Sequence, residues 1–404
     1  MKIYHPYILA IDLGKRKSVA LLASRKRKIL KKPWTFSRSF RDYQKLVEGL
    51  NPKDVLVGFE ATAHYWLALH EFLTKKGFEV VVLNPLAVKS FRDTGIRGSK
   101  TDKLDAYLIL RVLLFSDHIH PLKNLTESIS ELKNLSRWRG ELAFSRASLI
   151  TKLISILDQV FPEYERILSP KNLASLRLLK KYSTPDEIAS LPLPKLTKIL
   201  AQASRKKEKA EKWAKDLKME ASQTIGQRIG INAFSLEMKI VIERINQTAK
   251  QIKLMEKEIE RIFSGLPESK YLKSISGIDN ITGATILSEI GDITKYIAKD
   301  GADNIVALAG LDAKLRQSGE YSGKTKMTKR GSPYLRCALY QSARVAYRYE
   351  SMFKKIYEKQ RAKHKPHMVC LGYVAKKLAR IAYSVLVNKK TFDPQIYYQS
   401  SSID

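Results

Sequence analysis

The chain has 404 residues, with 73 Lys and Arg against 40 Asp and Glu, and a formal net charge of +33. A hydrophobic fraction of 44% excludes a mostly disordered chain, and the length suggests two or three domains. Two cysteines, Cys337 and Cys370, exclude a disulfide scaffold and a Cys-rich zinc module and fit a reducing cytosol.

No apolar run approaches the ~18 residues of a membrane span. The N-terminus does not read as a signal peptide, because Asp12 and Lys15 interrupt its apolar run. A basic excess of this size is the electrostatic footprint of a nucleic-acid binder; a ribosome-associated or membrane-surface protein is the bland alternative. Residues 1–125 carry a net +12 and the remainder +21, so several surfaces are expected to face polyanion.

Residues 1–125 read as an α/β domain. Tyr7–Ile11, Ser18–Ala23 and Ile29–Phe36 are β-branched or aromatic runs that predict a three-strand meander. A helix over Phe40–Leu50, a strand over Val55–Phe59, a helix over Tyr65–Lys76 stopped by Gly77, a strand over Phe78–Leu83 and a helix over about Lys103–Leu114 follow. A meander followed by βαβ units predicts a mixed sheet with helices on its faces.

Residues 126–265 read as a helical and coiled-coil linker region. Leu132, Leu135, Leu142, Leu149, Leu153 and Ile156 give a helical stripe over 126–165. Residues 166–233 are less regular, and the charged run Arg205–Lys218 suggests a solvated helix face. In 234–263, Met238, Ile242, Ile245, Ala249, Ile252, Ile259 and Ile262 follow three-and-four spacing. That pattern fits a coiled-coil arm that associates subunits, and equally a long helix packed within the chain. Residues 266–390 predict a helical C-terminal domain, and 391–404 a weakly structured tail.

Four carboxylates stand out in the first domain. Asp12 ends the first strand, Glu60 follows the strand Val55–Phe59, and Asp102 and Asp105 open the closing helix at an i, i+3 spacing that shares one face. Four hard oxygen donors at one place repel unless a cation neutralises them, and Mg²⁺ suits such a set. Each acid taken singly also reads as a turn or a helix cap. Lys100 and Lys103 set cations beside the acids, where they could hold phosphate.

In the C-terminal region Gly277 and Gly283 flank a tight turn between two short apolar helices. It resembles a helix-hairpin-helix turn that offers backbone N–H groups to phosphate; a plain packing corner explains it equally well. Ser318–Thr328 is a polar, Gly- and Lys-rich loop. Arg316, Lys324, Lys326, Lys329, Arg330 and Arg336 surround it and could neutralise a nucleic-acid backbone. A serine there could act as a nucleophile, and residue chemistry alone leaves Ser318 and Ser322 both open. His64 and His70 have no partner at zinc-ligand spacing, and His364 and His367, in a basic stretch, read as surface residues or phosphate contacts; Trp66 and Trp138 read as packing residues and Cys337 as a buried one.

Asp12-Leu-Gly14, Glu60-Ala-Thr-Ala-His-Tyr-Trp66, Asn84-Pro85, Lys100-Thr-Asp-Lys-Leu-Asp-Ala106, Gln317-Ser-Gly319 and Lys329-Arg-Gly331 together resemble the DEDD transposases. These are the IS-one-ten family of insertion sequences, which includes the Piv-type DNA invertases. Ala63 stands where many members have Gly, a departure expected to affect a turn and not the acids.

The resemblance implies a RuvC-like RNase H fold in which Asp12, Glu60, Asp102 and Asp105 bind Mg²⁺, and a C-terminal transposase domain whose nucleophile maps onto Ser318. It also implies donor and target DNA as substrates, a noncoding guide RNA from the same element, a dimer or tetramer, and a prokaryotic cytoplasm with nucleoid association. Two other readings remain: a RuvC-like nuclease that hydrolyses DNA with water, and a catalytically silent nucleic-acid scaffold.

Overall fold

The computed structural model describes residues 5–61, 64–83, 85, 88–89, 91, 102–115, 127–203, 207–297, 300–314, 317–318, 321–322 and 326–399. Two units separate, Met1–Leu125 and Thr126–Asp404.

The first unit is a five-stranded mixed sheet. Strands β1 (Tyr7–Asp12), β2 (Lys17–Ser24) and β3 (Ile29–Ser37) form the antiparallel meander, and β4 (Val55–Glu60) and β5 (Glu79–Leu83) add parallel to β1, giving the order β3-β2-β1-β4-β5. Successive side chains alternate between faces. Leu9, Ile11, Val57 and Phe59 bury one face against α1 (Phe40–Val47) and α2 (Trp66–Lys75). Ser39 caps α1 by accepting from the Asp42 N–H at 3.1 Å. Ile8, Ala10, Leu56 and Val81 bury the other face against α3 (Asp102–Phe115), through Ala106, Ile109 and Leu113. Burying Ile109 and Leu113 contributes about 1.5–3 kcal/mol each.

In the second unit, whose described residues form helices apart from a small arm, two apolar cores are joined by two long helices. Helices α4 (Glu127–Val160) and α10 (Ile231–Ser264) each run 34 residues. Between them α5 (Tyr164–Ile167), α6 (Leu173–Lys181), α7 (Pro185–Ser190), α8 (Leu193–Ala203) and α9 (Ala210–Gln223) build one core with Ile150–Val160 and Met238–Ile245. Pro185 opens α7, where its missing N–H is harmless, behind a capping box of Thr184 and Glu187. The charged run before Lys218 hides a helical stripe, because Ala210, Ala214, Leu217 and Ala221 are all buried.

The other core gathers Leu132 of α4 and Ile259–Phe263 of α10 with α11 (Glu268–Lys273), α12 (Asn280–Ile290), α13 (Gly301–Leu308), α14 (Pro333–Tyr349), α15 (Ser351–Arg361) and α16 (His367–Asn388). Among the described residues no helix is long and apolar enough to cross a membrane.

Several expectations are corrected. For the heptad seam of 234–263 the second of its two readings, a long helix packed within the chain, is the one observed: its two ends are buried in the two cores, and α10 packs along α4. The pairs Arg139–Glu256 (2.6 Å) and Lys152–Glu237 (2.8 Å) tie the two helices antiparallel. Trp138 is 55% exposed on α4, and Cys337 is exposed while Cys370 is buried; a helical stripe predicts that a face is buried, not which neighbour covers each position. The tail begins docked, with Phe392 stacked on Phe353 and its N–H donating to Ser274 Oγ at 2.7 Å, and a further helix spans Pro394–Gln399.

Candidate active site

Asp12 and Glu60 end adjacent parallel strands. The β1–β4 register runs to Ile11 opposite Phe59, so the two acids stand one position beyond it, one strand spacing of about 4.8 Å apart in backbone terms. Both are half-buried and both make interactions with their surroundings.

The start of α3 is at the same end of the sheet. Arg27, in the β2–β3 turn at the opposite end, holds its guanidinium 4.6 Å from the Phe115 ring at the C-terminus of α3, so the first turn, with Asp102 and Asp105, points back towards Asp12. Asp105 is half-buried. The backbone thus carries all four acids to one end, although the Asp102 side chain lies outside the described residues. Among those described, no three His, Cys, Asp or Glu side chains converge closely enough to hold an ion. The donor chemistry, carboxylate oxygens on rigid strand ends and a helix start, fits a hard divalent cation.

In the second unit the predicted polar loop is a β-hairpin arm. Ala313–Lys314 pairs antiparallel with Lys326–Met327, and Gln317–Ser318 with Tyr321–Ser322. Ser318 sits opposite Tyr321 in the rung nearest the tip, and Ser322 occupies the neighbouring rung opposite Gln317.

Backbone bonds close the base of the arm: Thr328 N–H to Asp312 O (3.0 Å), Lys329 N–H to Gly310 O (3.1 Å) and Ser332 N–H to Leu308 O (2.7 Å). The two legs approach so closely that a Cβ on Gly310, at φ +63°, would stand 2.8 Å from Gly331 N and 2.9 Å from Arg336 Nη1. Gly310→Ala is expected to lower the stability of this unit by about 1–3 kcal/mol through backbone strain and overpacking, read as a fall in the urea midpoint.

The predicted cations fare differently. Lys329 and Arg330 are exposed at the base of the arm, Lys329 with a left-handed φ of 53°. Arg336 has a structural engagement, its Nη1 donating to Ala309 O at 2.9 Å. Lys326 lies on the arm and Lys103 on α3, without described side chains; Lys100, Arg316 and Lys324 lie outside the described residues, as do Asn84 and Ala63.

The helix-hairpin-helix-like turn is used for packing. A Cβ on Gly277, at φ +88°, would meet Ser342 O of α14 at 2.5 Å, and the first N–H groups of α12 are capped by Asp279, which accepts from Thr282 N at 2.8 Å.

A cluster missed by the sequence reading lies beside the arm. Glu289 of α12 has a side chain only 2% exposed. Its Oε1 accepts from Arg137 Nε at 2.6 Å, and its Oε2 from Arg137 Nη2 at 3.0 Å and from Ser332 Oγ at 2.9 Å. Burial pushes the Glu289 carboxyl up, but the Arg137 and Ser332 hydrogen bonds and the charge of Lys133 outweigh it and hold the group below the ordinary glutamate range. Ser332 also caps α14, accepting from Leu335 N at 3.2 Å. The signal was present in the sequence as a lone acid inside the apolar run Thr285-Ile-Leu-Ser-Glu-Ile290.

Two family models match the chain, a DEDD-type IS110 transposase model over residues 9–162 and a model of the IS116/IS110/IS902 transposase family over residues 269–358, together more than half of it. An insertion element IS116 protein of 44.8 kDa from Streptomyces clavuligerus, uncharacterised, is 26% identical over 73% of both chains. An uncharacterised IS110 protein of 43.6 kDa from Streptomyces coelicolor is 23% identical over 77% of this chain and 76% of its own. The transposase for the insertion sequence element IS1328 of Yersinia enterocolitica is 24% identical over 82% of this chain and 83% of its own. With strand-end acids in its first unit, a basic arm in its second, and both family models matching in order, the chain belongs to the IS110-family DEDD transposases, enzymes that bind, cut and rejoin DNA.

Proposed function

We propose that this transposase exchanges DNA strands by transesterification, with Ser318 as nucleophile, and that an element-encoded noncoding RNA selects donor and target. The observation that carries the reading is the hairpin arm, which holds Ser318 one residue from its tip on a base closed by backbone hydrogen bonds. Ser318 Oγ forms a bond to a DNA phosphorus and loses its proton, while the bond from phosphorus to the 3′ oxygen breaks and that oxygen is protonated. A 3′ hydroxyl of the exchanged strand then attacks the phosphoserine, restoring the serine and the number of phosphodiester bonds without ATP.

Asp12, Glu60, Asp102 and Asp105 are the residues that would hold Mg²⁺, which supplies charge neutralisation at the phosphate oxygens when bound. Lys329 and Arg330, exposed at the base of the arm, bind and orient the backbone. The net charge of +33 is in keeping with RNA and DNA together. The same reading has the protein act as a dimer or tetramer in the prokaryotic cytoplasm, on the nucleoid.

The test is made in cells with the whole element and its flanking noncoding DNA, by sequencing excised circle junctions. Junctions are expected with the native protein and none with Ser318→Ala at equal protein level, followed by recovery of a covalent protein–DNA adduct. Junctions that persist in the variant would remove Ser318 from the chemistry and favour Ser322 or hydrolysis by water.

A further inference from the structure

Beside the Arg137–Glu289 pair stands Lys133, and within electrostatic reach of Lys133 stands Lys295. Lys133 lies one helical turn before Arg137 on α4, on the same face. Lys295 lies on the 3-10 helix Ile293–Tyr296, just after α12, where Asp292 accepts from Thr294 N at 3.0 Å and fixes the turn. Both lysines are only half exposed. Among the described residues neither ammonium makes a hydrogen bond or an ion pair. Glu289, the acid nearest to Lys133 in effect, is already occupied at both oxygens by Arg137 and Ser332. Burial pushes both ammonium groups down from the ordinary lysine range; Glu289 opposes this at Lys133 and Asp292 at Lys295 only in part, while the Arg137 charge lowers Lys133 further and the Lys133 charge lowers Lys295 further.

Two half-buried, mutually repelling cations lower the stability of a fold unless an anion completes them. The group that completes them needs several acceptor oxygens and one negative charge, which is the chemistry of a phosphodiester. The position agrees, because Ser332, bonded to the same Glu289, is the residue after the Lys329-Arg-Gly331 base of the arm.

We propose that Lys133 and Lys295 form a clamp for one backbone phosphate of a nucleic acid lying at the base of the hairpin arm, with Arg137, Glu289 and Ser332 as the frame that sets it. The clamp rests on the reading above only for the presence of nucleic acid on this face, and not on Ser318 chemistry. A phosphodiester is common to DNA and RNA, so both are probed.

The full chain and its Lys133→Gln/Lys295→Gln variant are titrated with a random-sequence DNA duplex and with an RNA hairpin over a series of salt concentrations. For the nucleic acid that occupies the clamp, the slope of log K against log salt is expected to become shallower by about 1, the value for one phosphate contact. The probe whose slope changes identifies the strand. Without nucleic acid the variant is expected to melt at or above the native temperature, since two half-buried like charges are gone. Lys133→Arg/Lys295→Arg is expected to keep the native slope.

Slopes unchanged on both probes, or a slope lost equally in the arginine variant, would overturn the proposal. Ser318→Ala should bind with the native slope, so failure of the serine chemistry and failure of the clamp are separable.

Discussion

Asp12→Asn is expected to lower strand exchange by about a thousandfold or more while leaving nucleic-acid binding and folding intact. A bound metal stabilises transition-state charge by several kcal/mol, and each 1.4 kcal/mol is roughly tenfold in rate. Asparagine keeps the shape and one oxygen of the carboxylate but removes its charge. The backbone at the end of β1 is held by pairing to both β2 and β4, so the substitution disturbs no core residue. The measurement is the count of excised circle junctions beside a melting curve and a binding curve for the same protein. Native junction counts from a folded Asp12→Asn protein would take Asp12 out of the reaction. A melting point unchanged or raised in a chelator is the companion expectation, because one of several crowded negative charges has gone. Glu60→Gln, the corresponding change at the end of the neighbouring strand, should give the same pattern.

Arg137→Met is expected to cost the second unit about 3–5 kcal/mol. It leaves Glu289 buried without its bidentate partner, and an uncompensated buried charge is among the most costly single changes. For a domain of this size that is a fall in melting temperature of roughly 6–20 °C.

The pH dependence gives the sign. In the native protein the Glu289 carboxyl is held below its ordinary range, so its contribution is fully present above the ordinary glutamate value and is lost as pH falls through the lower folded-state value. Without Arg137 burial dominates, the carboxyl is pushed up, and the penalty shrinks as pH falls and Glu289 takes up a proton. The difference in melting temperature between native and variant should therefore narrow from pH 7 towards pH 4. Adding Glu289→Gln to Arg137→Met should recover part of the loss at pH 7. A constant difference across pH would show that Arg137 acts by packing and not by pairing with Glu289.

The first unit was legible because its signals are local. Val55–Phe59 is a short apolar run and Phe78–Leu83 is one broken only by Glu79, both of strand length and rich in valine; Gly77 stops the helix between them, and the strand ends leave Asp12 and Glu60 where no fold requirement puts an acid. The heptads of 234–263 were equally plain, but their period says that one face is buried and not by what; the partner, α4, lies a hundred residues earlier. The hairpin arm was hidden because its strands are two-residue rungs of polar residues, with no alternation to read. Glu289 was passed over for the same reason in reverse. A single acid in an apolar helix has no period, and its partners Arg137 and Ser332 come from two distant segments.

Glu289 and Arg137 are separated by 152 residues, and the whole of the other helical core lies between them. During synthesis at about 5–20 residues per second, that interval is roughly 8–30 s. The core built from α5 to α9 can close on the ribosome as soon as the start of α10 has emerged, using contacts no farther away than the second half of α4. The first half of α4, with Leu132 and Arg137, has to wait for α12 and α14 to leave the exit tunnel. A chaperone that holds nascent chains would find its site on that waiting half-helix.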